Sequence, residues 1–247
     1  MAQVIETTRA PLPAEPLAAR RLPPLQNGDC LSRDEFERRY NAMPKLKKAE
    51  LIEGKVHMPS PVSFTNHGRA TSALIGWLLT YRAGTPGVEV SDNTTVRLDL
   101  DNEPQPDALL FIAPARGGQV KIIEDGFIEG APELVAEVAA TSASYDLHTK
   151  MQAYRRNGVK EYVVWRVLDQ ALDWFVLRGS QYERLVVGKT GGGTQIHKSE
   201  TFPGLWLDAA ALLRDDLNGV LAVLREGLAG AEHAAFVVRL GKAAESR

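Results

Sequence analysis

Two acidic residues stand where they could hold a divalent cation for hydrolysis of a phosphodiester. Asp107 directly precedes the apolar run ALLFI, and Glu137 lies inside the apolar run ELVAEVAA. A carboxylate in such a run is costly to bury unless it is paired or binds a metal. Mg²⁺ prefers oxygen ligands and takes one or two protein carboxylates together with several waters. The two residues therefore indicate hydrolysis assisted by Mg²⁺ or Mn²⁺.

A lysine follows at a spacing that brings it toward the second acid. Asp146, Lys150 and Tyr154 recur every four residues, so they share one side of a predicted helix. If that helix packs across the sheet, Lys150 points toward Glu137 and orients the attacking water or meets the charged phosphate. Ordinary explanations stay open: a turn residue for Asp107, a solvated strand face for Glu137, and an Asp146–Lys150 ion pair for the lysine.

The elements that must position these residues follow from hydrophobic periodicity and turn residues. Ser32 is a predicted helix N-cap, and Glu53-Gly54 is the predicted turn of a hairpin over 49–58. Further helices are predicted at 65–81, at 146–157 and from 208 to about 240. Strands are predicted within 88–100, 107–112, 133–140, 161–167, 171–177, 182–187 and 194–200. This order indicates an α/β fold with a mixed sheet.

Composition divides the chain into three predicted segments. Residues 1–27 carry five prolines and little apolar periodicity, so they are predicted to form a flexible arm. A main domain is predicted at 28–207, and an Ala- and Leu-rich helical extension at 208–247. No apolar run has the length of a signal peptide or a membrane span, so we expect a cytoplasmic protein that does not enter a membrane.

Residue counts limit the other kinds of site. Cys30 is the single cysteine, which excludes an intrachain disulfide and a cysteine-based zinc site. The histidines do not have the spacing of zinc ligands. The formal net charge is −2, from 29 Lys plus Arg against 31 Asp plus Glu, so the overall field does not indicate a nucleic-acid partner. The basic run KLKK at 45–48 is predicted to be a solvated face, with contact to phosphate as the alternative.

Longer segments carry a more specific signal than any single motif. In chain order they are ELIEGKVHMPSP, His67 in a helix, QPDALLFI, GAPELVAEV, YDLHTKMQAYRRNGVKEYVVW and FPGLWLDAAALL. Together these segments resemble the Uma-two family of restriction-endonuclease-like proteins, within the PD-(D/E)XK nuclease superfamily. The resemblance spans roughly residues 30 to 240. It implies a restriction-endonuclease-like mixed β-sheet flanked by helices, with an N-terminal hairpin and C-terminal helices, and a metal-dependent nuclease site.

The resemblance assigns roles to individual positions. Pro106-Asp107 matches the family's PD, which makes Asp107 a metal ligand, and Glu137 matches the second acid. Val138 would add its backbone carbonyl to the metal shell. Glu50, in the N-terminal hairpin, matches a further acid that completes the metal site, although a cross-strand pair with a lysine of the 45–48 run explains it equally well.

The chain departs from the superfamily pattern at the lysine. That pattern places a lysine two residues after the second acid, where this chain has Ala139. The family moves the lysine onto the following helix, and Lys150 occupies that place. His67 and Tyr154 are weaker candidates, since capping and core packing explain them.

Three functions follow from these assignments. The first is a Mg²⁺- or Mn²⁺-dependent endonuclease that cuts DNA, as a homodimer if the DNA is duplex. The apolar helices after Asp208 are the predicted dimer interface. The second is a catalytically inactive interaction protein that keeps the nuclease fold. The third is hydrolysis of another phosphodiester, such as RNA or a nucleotide.

Overall fold

A capped helix and a tight hairpin open the structure, a computed structural model that describes residues 22–59, 63–189 and 195–245. Helix α1 (Arg33–Asn41) begins after Ser32, whose hydroxyl accepts the Glu35 amide at 3.4 Å. Strands β1 (Glu50–Ile52) and β2 (Lys55–His57) pair antiparallel. Glu53 and Gly54 between them both have positive φ, as a two-residue hairpin turn requires. The predicted N-cap and hairpin are confirmed. Most of the predicted arm, residues 1–21, lies outside the described residues.

The remaining elements alternate between strands and helices along the chain. The strands are β3 (Val88–Ser91), β4 (Val96–Arg97), β5 (Ala108–Ile112), β6 (Lys121–Ile122), β7 (Ile128–Glu129), β8 (Leu134–Ala139), β9 (Glu161–Arg166), β10 (Ala171–Arg178), β11 (Gln181–Arg184), β12 (Gly188–Lys189), β13 (Gln195–Lys198) and β14 (Trp206–Leu207). The helices are α2 (Arg69–Gly84), α3 (Ala143–Tyr145), α4 (Met151–Asn157), α5 (Ala209–Leu213), α6 (Leu217–Leu228) and α7 (Ala231–Glu245). Wider π-helical turns, Phe64–Gly68 and Asp146–Lys150, precede α2 and α4.

A six-stranded mixed sheet forms the centre of the fold. Its order is β11-β10-β9-β8-β5-β3, and β8 with β9 is the parallel pair while the other neighbours run antiparallel. Smaller sheets are β1-β2, β4-β7-β6 and β12-β13-β14. The predicted mixed sheet flanked by helices, with an N-terminal hairpin and C-terminal helices, is confirmed.

The two faces of β8 point into different clusters of buried residues. Leu134 and Val138 pack toward α2 and the C-terminal helices. Val135 packs on the opposite face with Tyr154 of α4. Because successive side chains of a strand alternate, Glu137 lies on the same face as Val135 and points toward α4.

The C-terminal helices bury their apolar residues inside the chain. Val220, Leu224, Phe236 and Leu240 all belong to the main hydrophobic cluster, which also contains residues of α2 and the sheet. The apolar side chains from which the sequence predicts a dimer interface are thus already buried by packing within the chain.

The predicted continuous helix is wrong in detail, because it breaks after α5 at Asp215, whose φ is 63°. Among the described helices none is both long and apolar enough to cross a membrane.

Candidate active site

Two neighbouring strands hold Asp107 and Glu137 against each other. Ala108 pairs with Ala136 in the β5–β8 register, so Asp107 immediately before β5 lies opposite Glu137 near the end of β8. The Asp107 amide donates to Glu137 Oε2 at 3.4 Å, and the Val138 amide donates to Asp107 Oδ2 at 2.9 Å. Neither carboxylate is solvated, since Asp107 is 5% and Glu137 is 3% exposed. The solvated strand face offered as the alternative for Glu137 is therefore wrong, whereas Asp107 does lie at a bend directly before β5.

Lys150 bridges two carboxylates that are far apart in sequence. Its Nζ lies 2.9 Å from Glu137 Oε1 and 2.9 Å from Glu50 Oε1, and all three side chains are at most 5% exposed. Lys150 therefore points toward Glu137, as the helix packing predicted. The alternative pair with Asp146 does not form: no ion pair among the described residues joins it to Lys150, and Asp146 accepts the Ser142 hydroxyl at 2.6 Å. The π-helical turn between them alters the angular spacing that a regular α-helix gives.

Further donors fix the carboxylates that Lys150 contacts. The Tyr154 hydroxyl donates to Glu137 Oε1 at 2.8 Å, and the Gln105 amide donates to Glu50 Oε1 at 2.7 Å. Tyr154, a weaker candidate from the sequence, thus contacts the site directly. The predicted pairing of Glu50 with a lysine of the 45–48 run is wrong, because its lysine partner comes from the π-helical turn of the later helix.

A histidine and a second lysine contact Asp107 from the more exposed side. His67 Nε2 lies 3.1 Å from Asp107 Oδ2, and His67 Nδ1 lies 3.1 Å from the Thr71 hydroxyl. Lys48 Nζ lies 3.5 Å from Asp107 Oδ1 and 3.1 Å from Asn93 Oδ1. The side chain of Lys48 is 24% exposed, so the prediction that KLKK is merely a solvated face is wrong at this residue.

The electrostatics of the two acids differ. Burial alone would raise the pKa of Asp107, but the His67 hydrogen bond and the Lys48 charge outweigh it and lower this pKa to about 2. Burial raises the pKa of Glu137 to about 8, since the Lys150 charge offsets burial only in part and nearby carboxylates oppose ionisation. For Lys150 burial lowers the pKa, but Glu137 and Glu50 outweigh it and hold the pKa well above its ordinary value. The site has an excess of carboxylates that a cation would offset.

One buried hydroxyl beside the site lacks a partner. Tyr145 Oη is buried and makes no hydrogen bond in the described part of the chain. The Tyr145 ring lies 5.7 Å from Lys150 Nζ and 4.3 Å from the ring of His57. An unpaired buried hydroxyl is costly, so Tyr145 is a candidate to contact a substrate group at the site. Sequence patterns missed Tyr145, because no period or motif separates it from a packing tyrosine.

The donor set fits a hard divalent cation held by two carboxylates. Within 22–59, 63–189 and 195–245, no three His, Cys, Asp or Glu side chains form a preassembled metal cluster. Mg²⁺ needs no such cluster, since one or two carboxylates plus waters and substrate phosphate suffice. Asp107 Oδ1 and Glu137 Oε2 are the oxygens with the longer contacts, 3.5 and 3.4 Å, which leaves them available. Val138 contributes its amide here, and the role of its carbonyl stays a prediction.

Comparison with known proteins gives a family and a solved structure. A model of the Uma2 family, described as putative restriction endonuclease, matches residues 33–210. The chain is also similar to the crystal structure of a putative nuclease belonging to DUF820 from Anabaena variabilis ATCC 29413. The identity is 18% and the TM-score 0.49, over 74% of this chain and 99% of that chain. No curated protein matches.

Proposed function

Since the chain belongs to the Uma2 family of putative restriction endonucleases, we propose that it is a metal-dependent endonuclease that hydrolyses phosphodiester bonds of DNA. The observation that carries this proposal is the buried cluster in which Lys150 joins Glu50 and Glu137 beside Asp107. Burying several carboxylates around one lysine costs free energy, and apolar side chains in the same positions would stabilise the fold at least as well. A catalytic role explains why the charged residues are present.

Asp107 and Glu137 are the proposed protein ligands of Mg²⁺ or Mn²⁺, with Glu50 and the Val138 carbonyl as further ligands. When bound, such a cation lowers the pKa of a coordinated water and offsets the charge that develops on the phosphate. The low pKa of Asp107 keeps this ligand ionised at neutral pH. The Val138 amide and His67 both contact Asp107 Oδ2, so they fix the carboxylate and leave Oδ1 on the side of Lys48.

Lys150 has the proposed role of assisting the attacking water and the transition state. An ammonium group has three N–H donors, and Glu50 and Glu137 each accept one. The remaining donor and the positive charge are available to orient the water and to offset charge on the phosphate. Tyr154 shares Glu137 Oε1 with Lys150, which leaves Oε2 directed toward Asp107.

Lys48 is the proposed contact for the incoming phosphate. Of the two lysine side chains at the site, that of Lys48 is the more exposed, 24% against 4% for Lys150. A phosphate oxygen that approaches Asp107 therefore meets Lys48 first. Cutting both strands of a duplex requires two such sites, so a homodimer is proposed for a duplex substrate.

Supercoiled plasmid tests this function directly. With Mg²⁺ or Mn²⁺, the protein is expected to convert it to nicked circles, and to linear DNA if the dimer cuts both strands. EDTA should abolish conversion. A labelled RNA of matched sequence, offered in the same buffer, distinguishes DNA from RNA as substrate. Absence of cleavage of both polymers in either metal would contradict the proposal.

A further inference from the structure

A small cleft is lined by both apolar and charged side chains. It lies between the start of α2, the end of β9 and the turn after α5, and its volume is about 170 Å³. Residues that line it include Thr65, Arg69, Trp165, Val167, Leu212 and Asp215. Apolar side chains and one pair of opposite charges, Arg69 and Asp215, thus line the same cleft.

One turn borders both the cleft and the candidate site. His67, which contacts Asp107, belongs to the same π-helical turn as Thr65, only two residues before Arg69. This turn therefore lies next to any strand that binds at Asp107.

The residue before Thr65 carries an exposed aromatic ring that lies against a guanidinium. Phe64 is 68% exposed, and the Arg69 guanidinium carbon lies 5.5 Å from the centre of its ring. The side chain of Arg69 is itself 53% exposed. Exposure of one aromatic residue is ordinary on a protein surface. An aromatic ring together with a cation, next to a site proposed to cut DNA, has the chemistry that binds single-stranded nucleic acid.

We propose that Phe64, Arg69 and this cleft form a subsite for one nucleotide that flanks the scissile phosphate. The base stacks on Phe64, and Arg69 contacts a backbone phosphate. A base reaches the ring only if it is unstacked from its neighbours, so the strand is single-stranded or locally opened at this position. This inference rests on the proposed nuclease function and specifies which part of the substrate strand the protein recognises.

Asp215 allows a test in which binding of DNA should become tighter instead of weaker. Its carboxylate lies 3.4 Å from Arg69 Nη1, on the same rim of the cleft. A phosphate that reaches Arg69 is repelled by this carboxylate. Asp215 has a φ of 63°, a left-handed conformation that asparagine tolerates well. Asp215→Asn therefore removes the negative charge without backbone strain.

Binding of a short fluorescent single-stranded DNA oligonucleotide, measured by anisotropy in EDTA, tests the proposal. Phe64→Ala is expected to weaken binding roughly 5- to 150-fold, the range found when one base–aromatic stack is lost. Arg69→Gln should weaken binding and reduce the salt dependence by about one phosphate contact. Asp215→Asn should tighten it. Arg82→Gln is the matched control, since Arg82 lies on the same helix, is similarly exposed and pairs with Glu89; we expect no change.

An abasic residue walked along the oligonucleotide distinguishes stacking from general electrostatics. At one position the abasic substitution should weaken binding to the wild type and cause no further loss in Phe64→Ala. The subsite is refuted if the losses from the abasic substitution and from Phe64→Ala simply add. It is also refuted if Phe64→Ala binds as tightly as the wild type, or if the wild type does not bind the oligonucleotide. Asp107→Asn should bind the oligonucleotide at least as tightly as the wild type while losing cleavage. Failure of the nuclease proposal therefore appears in cleavage, and failure of the subsite appears in binding.

Discussion

Lys150 Nζ lies 2.9 Å from Glu137 Oε1, although Glu137 belongs to a strand and Lys150 to the helical segment thirteen residues later. In the motif of the PD-(D/E)XK superfamily, which the sequence resembles, the lysine stands two residues after the second acid. It therefore lies on the same strand and the same face as that acid. That position is Ala139, which is 1% exposed and packs among apolar residues. The ammonium group thus reaches the second acid from the helix above the sheet instead of from the strand itself.

Removing the charge of Lys150 should abolish cleavage and destabilise the fold. Lys150→Met leaves Glu50 and Glu137 buried without their cation, which typically costs about 3–5 kcal/mol. Urea denaturation measures this cost, and plasmid nicking measures the activity. Lys121→Met is the control, since Lys121 is an exposed lysine whose carboxylate partner lies 4.0 Å away. Equal stability of the two variants would contradict the role of Lys150 as the buried counter-charge.

Asp107 should contribute stability that is lost in acid. Its pKa in the fold is about 2, lowered from about 3.8. A depressed carboxyl pKa stabilises the fold above the unfolded value and loses that contribution as pH falls through the folded value. In EDTA, the free energy of unfolding should therefore fall between pH 4 and pH 2 by about 2 kcal/mol more in the wild type than in Asp107→Asn. Urea denaturation at several pH values measures the free energy of unfolding of both proteins. The same pH dependence in both would contradict the lowered pKa of Asp107.

The Tyr154 hydroxyl should matter for cleavage as well as for stability. Tyr154→Phe removes a donor to Glu137 Oε1, so cleavage should fall and unfolding should cost about 1–3 kcal/mol less. Tyr182→Phe is the matched control, because that hydroxyl donates to the Val159 carbonyl away from the site. The control should lose stability and keep full cleavage. If both variants lose cleavage to the same extent, the effect belongs to packing.

Tyr145 offers the opposite case, a hydroxyl with no partner to lose. Tyr145→Phe should leave the free energy of unfolding unchanged or raise it by about 1–3 kcal/mol, because an unsatisfied buried group is removed. If the hydroxyl binds a water or a substrate group at the site, cleavage falls in the same variant. Thermal and urea unfolding check the first part. A clear loss of stability would mean that the hydroxyl is already hydrogen-bonded.

The local parts of the fold were predictable from the sequence because they depend on neighbouring residues. The apolar runs beside Asp107 and around Glu137 predicted their strands, and Glu53-Gly54 predicted the hairpin that carries Glu50. Both features arise from backbone geometry over a few residues. The direction of Lys150 followed from the helix packing across the sheet.

Other parts of the site depend on contacts between distant segments. Lys48 contacts Asp107 across 59 residues, and no periodicity in its basic run predicts that approach. The C-terminal helices look like an exposed apolar surface in sequence, yet Phe236 packs into the main cluster. Where a helix buries its apolar side is set by the partner it meets, which a single sequence pattern does not contain.

Cleavage of supercoiled plasmid by Asp107→Asn, compared with Asp173→Asn in Mn²⁺, tests the central claim most directly. Asp173 is also a buried carboxylate, but its ion-pair partners are Arg166 and Arg184 and not the side chains of the site. Asp107→Asn should lose metal-dependent nicking while staying folded. Asp173→Asn should retain nicking activity even though its free energy of unfolding is lower. Equal nicking by the wild type and Asp107→Asn would contradict the assignment of this cluster as the active site.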